Sequence, residues 1–179
     1  LACHRTHGDA LHTVGPSLLM TSRLTAFAMY AAVFILYVSK MHAASWFLSK
    51  TYVKHLIQFE HAHEAHRRAG VIFYWLAIAH TVTHFIRWGL RSELTELCGK
   101  GKPGDTAACY SGVAAISLMT AIVVPMLSKR LRARWSFEFR FNLHWLFVFM
   151  VIALMFHAER LQTVQLMFVG LWLVDYGYQ

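Results

Sequence analysis

Acidic residues are few in this 179-residue chain: nine Asp and Glu stand against 17 Lys and Arg, for a net charge of +8. Proline and cysteine are scarcer still, at three each, and no CxxC or Cys/His zinc spacing occurs. Those absences exclude a disulfide-dense secreted scaffold and a zinc-ribbon fold. No long Pro- or Gly-rich linker, low-complexity tract or internal repeat divides the chain, which reads as one domain. A Gly-rich nucleotide loop is missing, as is the alternation of barrel strands. The positive charge forms no single tract interleaved with aromatics, which argues against nucleic acid as a partner.

What fills the chain is apolar: 57% of it, gathered into long runs. Residues 24–38, 69–86, 107–127, 141–156 and 161–176 are each nearly free of charge. A hydrocarbon core about 30 Å thick takes around 20 helical residues, fewer when flanking side chains snorkel. Only 107–127 reaches that length cleanly, and helical character after 24–38 continues through Lys40 to Leu48. The expectation is an all-α integral membrane helix bundle over 21–179, with about five spans and lipid as its surroundings, rather than a soluble bundle. A polar, His-containing segment over 1–20 precedes it.

The basic residues fall between the runs, as expected for loops at a membrane face. Residues 39–68 hold Lys40, Lys50, Lys54, Arg67 and Arg68, and residues 128–140 hold Lys129, Arg130, Arg132, Arg134 and Arg140. Residues 87–106 dilute Arg87, Arg91, Lys100 and Lys102 with Glu93, Glu96 and Asp105. The positive-inside tendency then puts 39–68 and 128–140 on the cytosolic side and 87–106 on the other. Cys98 and Cys109 bracket the loop placed outside, where they either close a disulfide or stay as two free thiols; Cys3 is left over. The chain begins with Leu, and residues 1–20 do not resemble a signal peptide, so it reads as a fragment of something longer.

Ionisable groups inside apolar spans are functional candidates by default, and here they are nearly all histidine. The stretch HRRAGVIFYWLAIAHTVTH (66–84) carries His66, His80 and His84. At about 100° per residue, the fourteen steps from His66 to His80 return the helix to within about 40° of its starting face, displaced by about 21 Å. His84 shares that face. Gly70 and Ala77 lie between them and leave room for something flat and bulky, as haem is, with neutral imidazole as a common axial ligand. In FNLHWLFVFMVIALMFHAER (141–160), His144 and His157 are thirteen residues apart, a matching rise of roughly 20 Å. Thirteen ideal steps leave those two rings on different faces, so a departure from α geometry, such as a tighter 3₁₀ turn, is required between them. If the second and fourth helices run parallel, His66 pairs with His144 and His80 with His157.

A rival reading takes HEAH (63–66), HTVTH (80–84) and Glu60 as the histidine boxes of a membrane di-iron desaturase or hydroxylase. Against it, the two boxes lie about 20 Å apart along one helix, and His144 and His157 belong to neither. His4, His7, His12, His42, His55, His61 and His63 read as surface residues.

HRRAG…AHTVTH, followed by HWLFVFMVIALMFHAER, resembles the ferric reductase-like transmembrane domain of NADPH oxidases and ferric-chelate reductases. The likeness covers about 20–179 and is most specific in 60–88 and 138–162; SKMHAASWFLSK (39–50) fits more loosely. The resemblance implies two b-type haems, an inner one on His66 and His144 and an outer one on His80 and His157. It implies electrons drawn from NADPH through FAD and delivered to oxygen or a ferric chelate. His84 and Arg87 would face the acceptor, with a structural hydrogen bond as the alternative for His84, while Arg67 and Arg68 would meet haem propionates or snorkel. Phe73, Trp75, Phe147 and Phe149 read as packing.

The chain departs from the family in four ways. One membrane span expected before residue 20 is missing, and no FAD/NADPH dehydrogenase domain follows Tyr178. Met150 stands where many oxidases have an aromatic residue, and the loop after His157 is very short. Two other readings therefore stay open: a flavin-independent, quinol- or ascorbate-linked di-haem cytochrome b, and an anchoring cytochrome subunit of a larger membrane complex.

Overall fold

A computed structural model describes residues 2–55, 61–91, 98 and 103–178, and among them every regular element is helical. The long helices are α1 (Ala2–Val38), α3 (Ala62–Arg91), α4 (Pro103–Leu127) and α8 (Glu159–Gly177). Shorter ones are α2 (His42–Ser49), α5 (Lys129–Arg134), α6 (Phe137–His144) and α7 (Phe147–His157), with a 3₁₀ turn at Tyr52–His55. Four stretches are long and apolar enough to cross a membrane: Val14–Val38, Ala62–Leu90, Ala107–Leu127 and Phe137–His157.

The fifth expected span is present as α8 but falls outside that set, since Glu159, Arg160 and Asp175 put charge at both its ends. Two boundaries differ from the sequence expectation. The segment over 1–20 is not separate from the first span, because α1 is helical from Ala2 onward. Helix does not run on from Val38 to Leu48: the chain turns at Ser39 and Lys40 before α2 begins. Glu93, Glu96, Lys100 and Lys102 lie outside the described residues, as do the side chains of Cys3, His4, His7, His12, His55 and Asp105.

Local chemistry explains where several helices start and stop. Pro103 is the first residue of α4, where its missing N–H costs nothing, and Pro125 lies two residues before that helix ends. Ser128 and Ser136 cap α5 and α6, each hydroxyl accepting a hydrogen bond from the backbone N–H three residues on. α2 has no cap of its own, since Met41 offers no side-chain oxygen. Its N-terminus is met instead by Asp175 of α8, whose buried carboxylate accepts from the Ala44 N–H at 2.7 Å.

α1 and α3 pack antiparallel along their length, with Ser22 beside His80 at one end and Leu36 beside His66 at the other. α4 packs against α7, and α8 closes the bundle against α1, α2 and α7. The core is a cluster of Ala32 and Val33 on α1, Phe73, Tyr74 and Ala77 on α3, Met119 on α4 and Phe168 on α8. Ala32 and Ala77 let the backbones approach, as small residues do where helices meet in lipid. Large apolar side chains face outward all round: Phe27, Trp75, Phe149, Phe156 and Val174 are each more than 60% exposed. A surface that apolar is a liability in water and the ordinary state of a protein in a bilayer. The fold is that of an integral membrane helix bundle.

Candidate functional site

The histidines of α3 meet those of α6 and α7 in two pairs. The rings of His66 and His144 have their centres 6.2 Å apart, and those of His80 and His157 are 6.4 Å apart. A metal–nitrogen bond is about 2 Å long and the ring centre lies about 1.1 Å behind the nitrogen, so two imidazoles that bind one metal ion from opposite sides have centres roughly 6 Å apart. Both pairs have that spacing.

The second pair is reachable because the helix carrying His144 and His157 is not continuous. α6 ends at His144, and Trp145, Leu146 and Val148 each donate a backbone N–H to the carbonyl three residues back, on Asn142, Leu143 and Trp145. These are 3₁₀-type bonds, and α7 starts afresh at Phe147. The departure from ideal geometry that the thirteen-residue spacing requires is there.

Hydrogen bonds fix the tautomer of three of the four rings. His80 Nδ1 lies 3.0 Å from the carbonyl oxygen of Ser22, and His157 Nδ1 lies 2.9 Å from that of Ala108. His66 Nδ1 is shared between the Leu36 carbonyl at 3.2 Å and the Ser39 hydroxyl at 3.1 Å. A carbonyl only accepts, so each of these Nδ1 atoms carries the proton and each Nε2 keeps its lone pair for a metal. His144 Nδ1 is buried with no hydrogen-bond partner among the described residues.

A cavity of about 350 Å³ surrounds the His80–His157 pair, bounded by Phe73, Ala77, His84 and Gly112 among others. Gly112 was not visible as a site residue in the sequence. A Cβ there would stand 2.8 Å from Cε1 of His157 and 3.0 Å from Nδ1, closer than real contacts allow, so only glycine leaves the ring its place. At Gly70 a Cβ would meet only the end of Leu36, at 3.8 Å, so the space beside that position is open.

The remaining site residues separate. His84 also lines the cavity, and its Nε2 is 2.7 Å from the Ser22 hydroxyl; Arg87 follows three residues on along α3. Arg67 and Arg68 line an open groove with Val71, Ile72 and Leu127, and Arg68 forms an ion pair with Glu64 one turn away. Lys40 follows the end of α1, next to Ser39, whose hydroxyl is 3.1 Å from His66 Nδ1. Phe73 packs in the core, whereas Trp75 and Phe149 point outward from the bundle. Cys98 is joined to Cys109 by a disulfide with the Cα atoms 5.6 Å apart, and Cys109 also lines the cavity.

The di-iron reading asks for several ligands at one point. Among the described residues no three His, Cys, Asp or Glu side chains converge. His61 and His63 are exposed, and Glu60 lies outside the described residues. The two histidine pairs are instead separate, one towards each end of α3. No family model, curated protein or solved structure matches the chain.

Proposed function

We propose that this chain is the haem-bearing membrane domain of a transmembrane electron-transfer oxidoreductase of the NADPH oxidase or ferric reductase type. His66 and His144 would hold an inner b-type haem, and His80 and His157 an outer one. The reading is carried by two imidazole pairs at 6.2 and 6.4 Å, each across the same two chain segments. A haem held by two imidazoles supplies a one-electron carrier with no open coordination position.

The chain's own residues do the rest. Ser22, Ala108 and Leu36 fix imidazole tautomers through their carbonyls, and Gly112 makes room for one ring. Apolar walls keep water from the site. Arg67 and Arg68 would meet an inner haem's propionates, with Lys40, next to Ser39 at the end of α1, as a further positive charge at that end. The segments 39–68 and 128–140 would be cytosolic, facing an FAD/NADPH dehydrogenase domain, and the His84–Arg87 end would face the acceptor, oxygen or a ferric chelate. The resemblance in 60–88 and 138–162 supports this assignment of partners.

Pyridine haemochrome quantitation of the purified chain tests the reading. Two b-type haems per chain are expected; one, or none, overturns it.

A further inference from the structure

Ser22 is the most buried serine among the described residues, at 2% exposure, although it belongs to a helix with much of its surface outward. Both of its polar ends are used by α3. The main-chain carbonyl accepts from His80 Nδ1 at 3.0 Å, and the hydroxyl bonds His84 Nε2 at 2.7 Å. The same carbonyl accepts from the Thr25 hydroxyl at 2.9 Å, which braces it from its own helix. His80 and His84 are one turn apart with ring centres 4.6 Å apart, and both border the cavity. One residue of α1 thus holds two imidazoles of α3, one by its backbone and one by its side chain.

We propose that Ser22 is a positioning residue of the outer site, locking the imidazole of His84 in a fixed relation to the ligand His80. Without the hydroxyl, His84 has no other hydrogen bond to hold it: its Nδ1 is buried and unpartnered among the described residues. The rings beside it are those of His80 and Trp88, with centres 4.6 and 5.1 Å away, and among the described residues neither gives it a hydrogen bond. The carbonyl is part of the backbone, so a side-chain substitution separates the two functions. Ser22→Ala keeps the bond to His80 and releases His84; Ser22→Thr keeps both.

The proposal rests on the di-haem reading, and the experiment distinguishes failure of one from failure of the other. The full chain is purified as wild type, Ser22→Ala, Ser22→Thr, His84→Ala and the Ser22→Ala/His84→Ala double variant. Haem content, the low-spin electron paramagnetic resonance signals and the midpoint potentials of both haems are measured on each. Ser22→Ala is expected to retain two haems per chain, to alter the signal and potential of the outer haem, and to leave the inner haem unchanged. Electron delivery from the outer haem to a soluble acceptor is expected to slow by about 3- to 10-fold, the scale of one lost hydrogen bond. Ser22→Thr is expected to restore the wild-type values, and the double variant to match His84→Ala, because the hydroxyl acts through that ring alone.

A two-haem wild type whose Ser22→Ala variant keeps both signals and both potentials overturns the proposal and leaves the reading intact. So does a Thr variant that fails to rescue, or a double variant with added effects. A wild type without haem overturns the reading and the proposal together.

Discussion

At Gly112 a methyl group would stand within 3.0 Å of two atoms of the His157 ring. Gly112→Ala must therefore push that ring off the Ala108 carbonyl or away from His80. Haem content is expected to fall from two per chain towards one, with the inner haem kept, as read by haemochrome quantitation and the surviving resonance signal. His144→Ala is expected to do the opposite and remove the inner haem while sparing the outer. Loss of both haems, or of neither, would refute the pairing of His144 with His66. At this scale the sequence was partly legible. The four paired histidines stand out because ionisable groups in apolar runs are rare and their spacing is measurable. Gly112 and Ser22 do not stand out, because each acts through a contact with another helix that no spacing within its own helix announces. Arg67 and Arg68, next to His66 in sequence, are turned by steps of about 100° along α3 and line a groove with Val71, Ile72 and Leu127.

The break between α6 and α7 sets the phase of one ligand against the other. Inserting one alanine between Trp145 and Leu146 would rotate α7 by about 100° and advance it by about 1.5 Å relative to α6. His157 would leave His80 while His144 stays in place, and one haem per chain is the expected result. Two haems after the insertion would show that the break does not govern the register. A second joint lies between α1 and α8, where the Tyr37 hydroxyl donates to Gln165 Oε1 at 2.8 Å. Gln165 is the most completely buried large side chain among the described residues, at 1% exposure. Gln165→Leu strands the Tyr37 hydroxyl in an apolar setting. A loss of about 0.5–2 kcal/mol is expected, seen as a lower midpoint in thermal denaturation of the detergent-solubilised chain. Helix interiors were readable from hydropathy alone, since a span is defined by its composition. Ends were not: the turn at Ser39 and Lys40 has no proline or glycine to mark it, and the cap of α2 comes from Asp175, more than 130 residues away. The 3₁₀ break was legible only because two histidines had to be reconciled with one partner helix.

For the whole molecule, large apolar side chains face outward, and the buried polar side chains Ser22, Gln165 and Asp175 are each hydrogen-bonded to another helix. The count of membrane-crossing stretches depends on α8, whose charged ends keep it short of the other four although it packs with α1 and α7 as a full member. Sequence reading found its apolar middle and could not weigh the ends, because a buried carboxylate that caps another helix looks the same in one dimension as a carboxylate in solvent.

The Cys98–Cys109 disulfide touches the outer site through the backbone. Cys109 follows Ala108, whose carbonyl orients His157, and precedes Gly112 by one helical turn. Among the described residues the inner pair has no such attachment: His66 is held by Leu36 and Ser39 at the end of α1. The molecule should therefore mature in a fixed order, with the inner site able to form in a reducing compartment and the outer one completed once the cysteines oxidise. A Cys98→Ser chain, or one synthesised under reductant, is expected to reach full inner-haem content and reduced outer-haem content. Adding oxidant should recover the outer haem in the wild type alone. In that order of events, the outer half of the site would become competent only after the chain has met the oxidising side of its membrane.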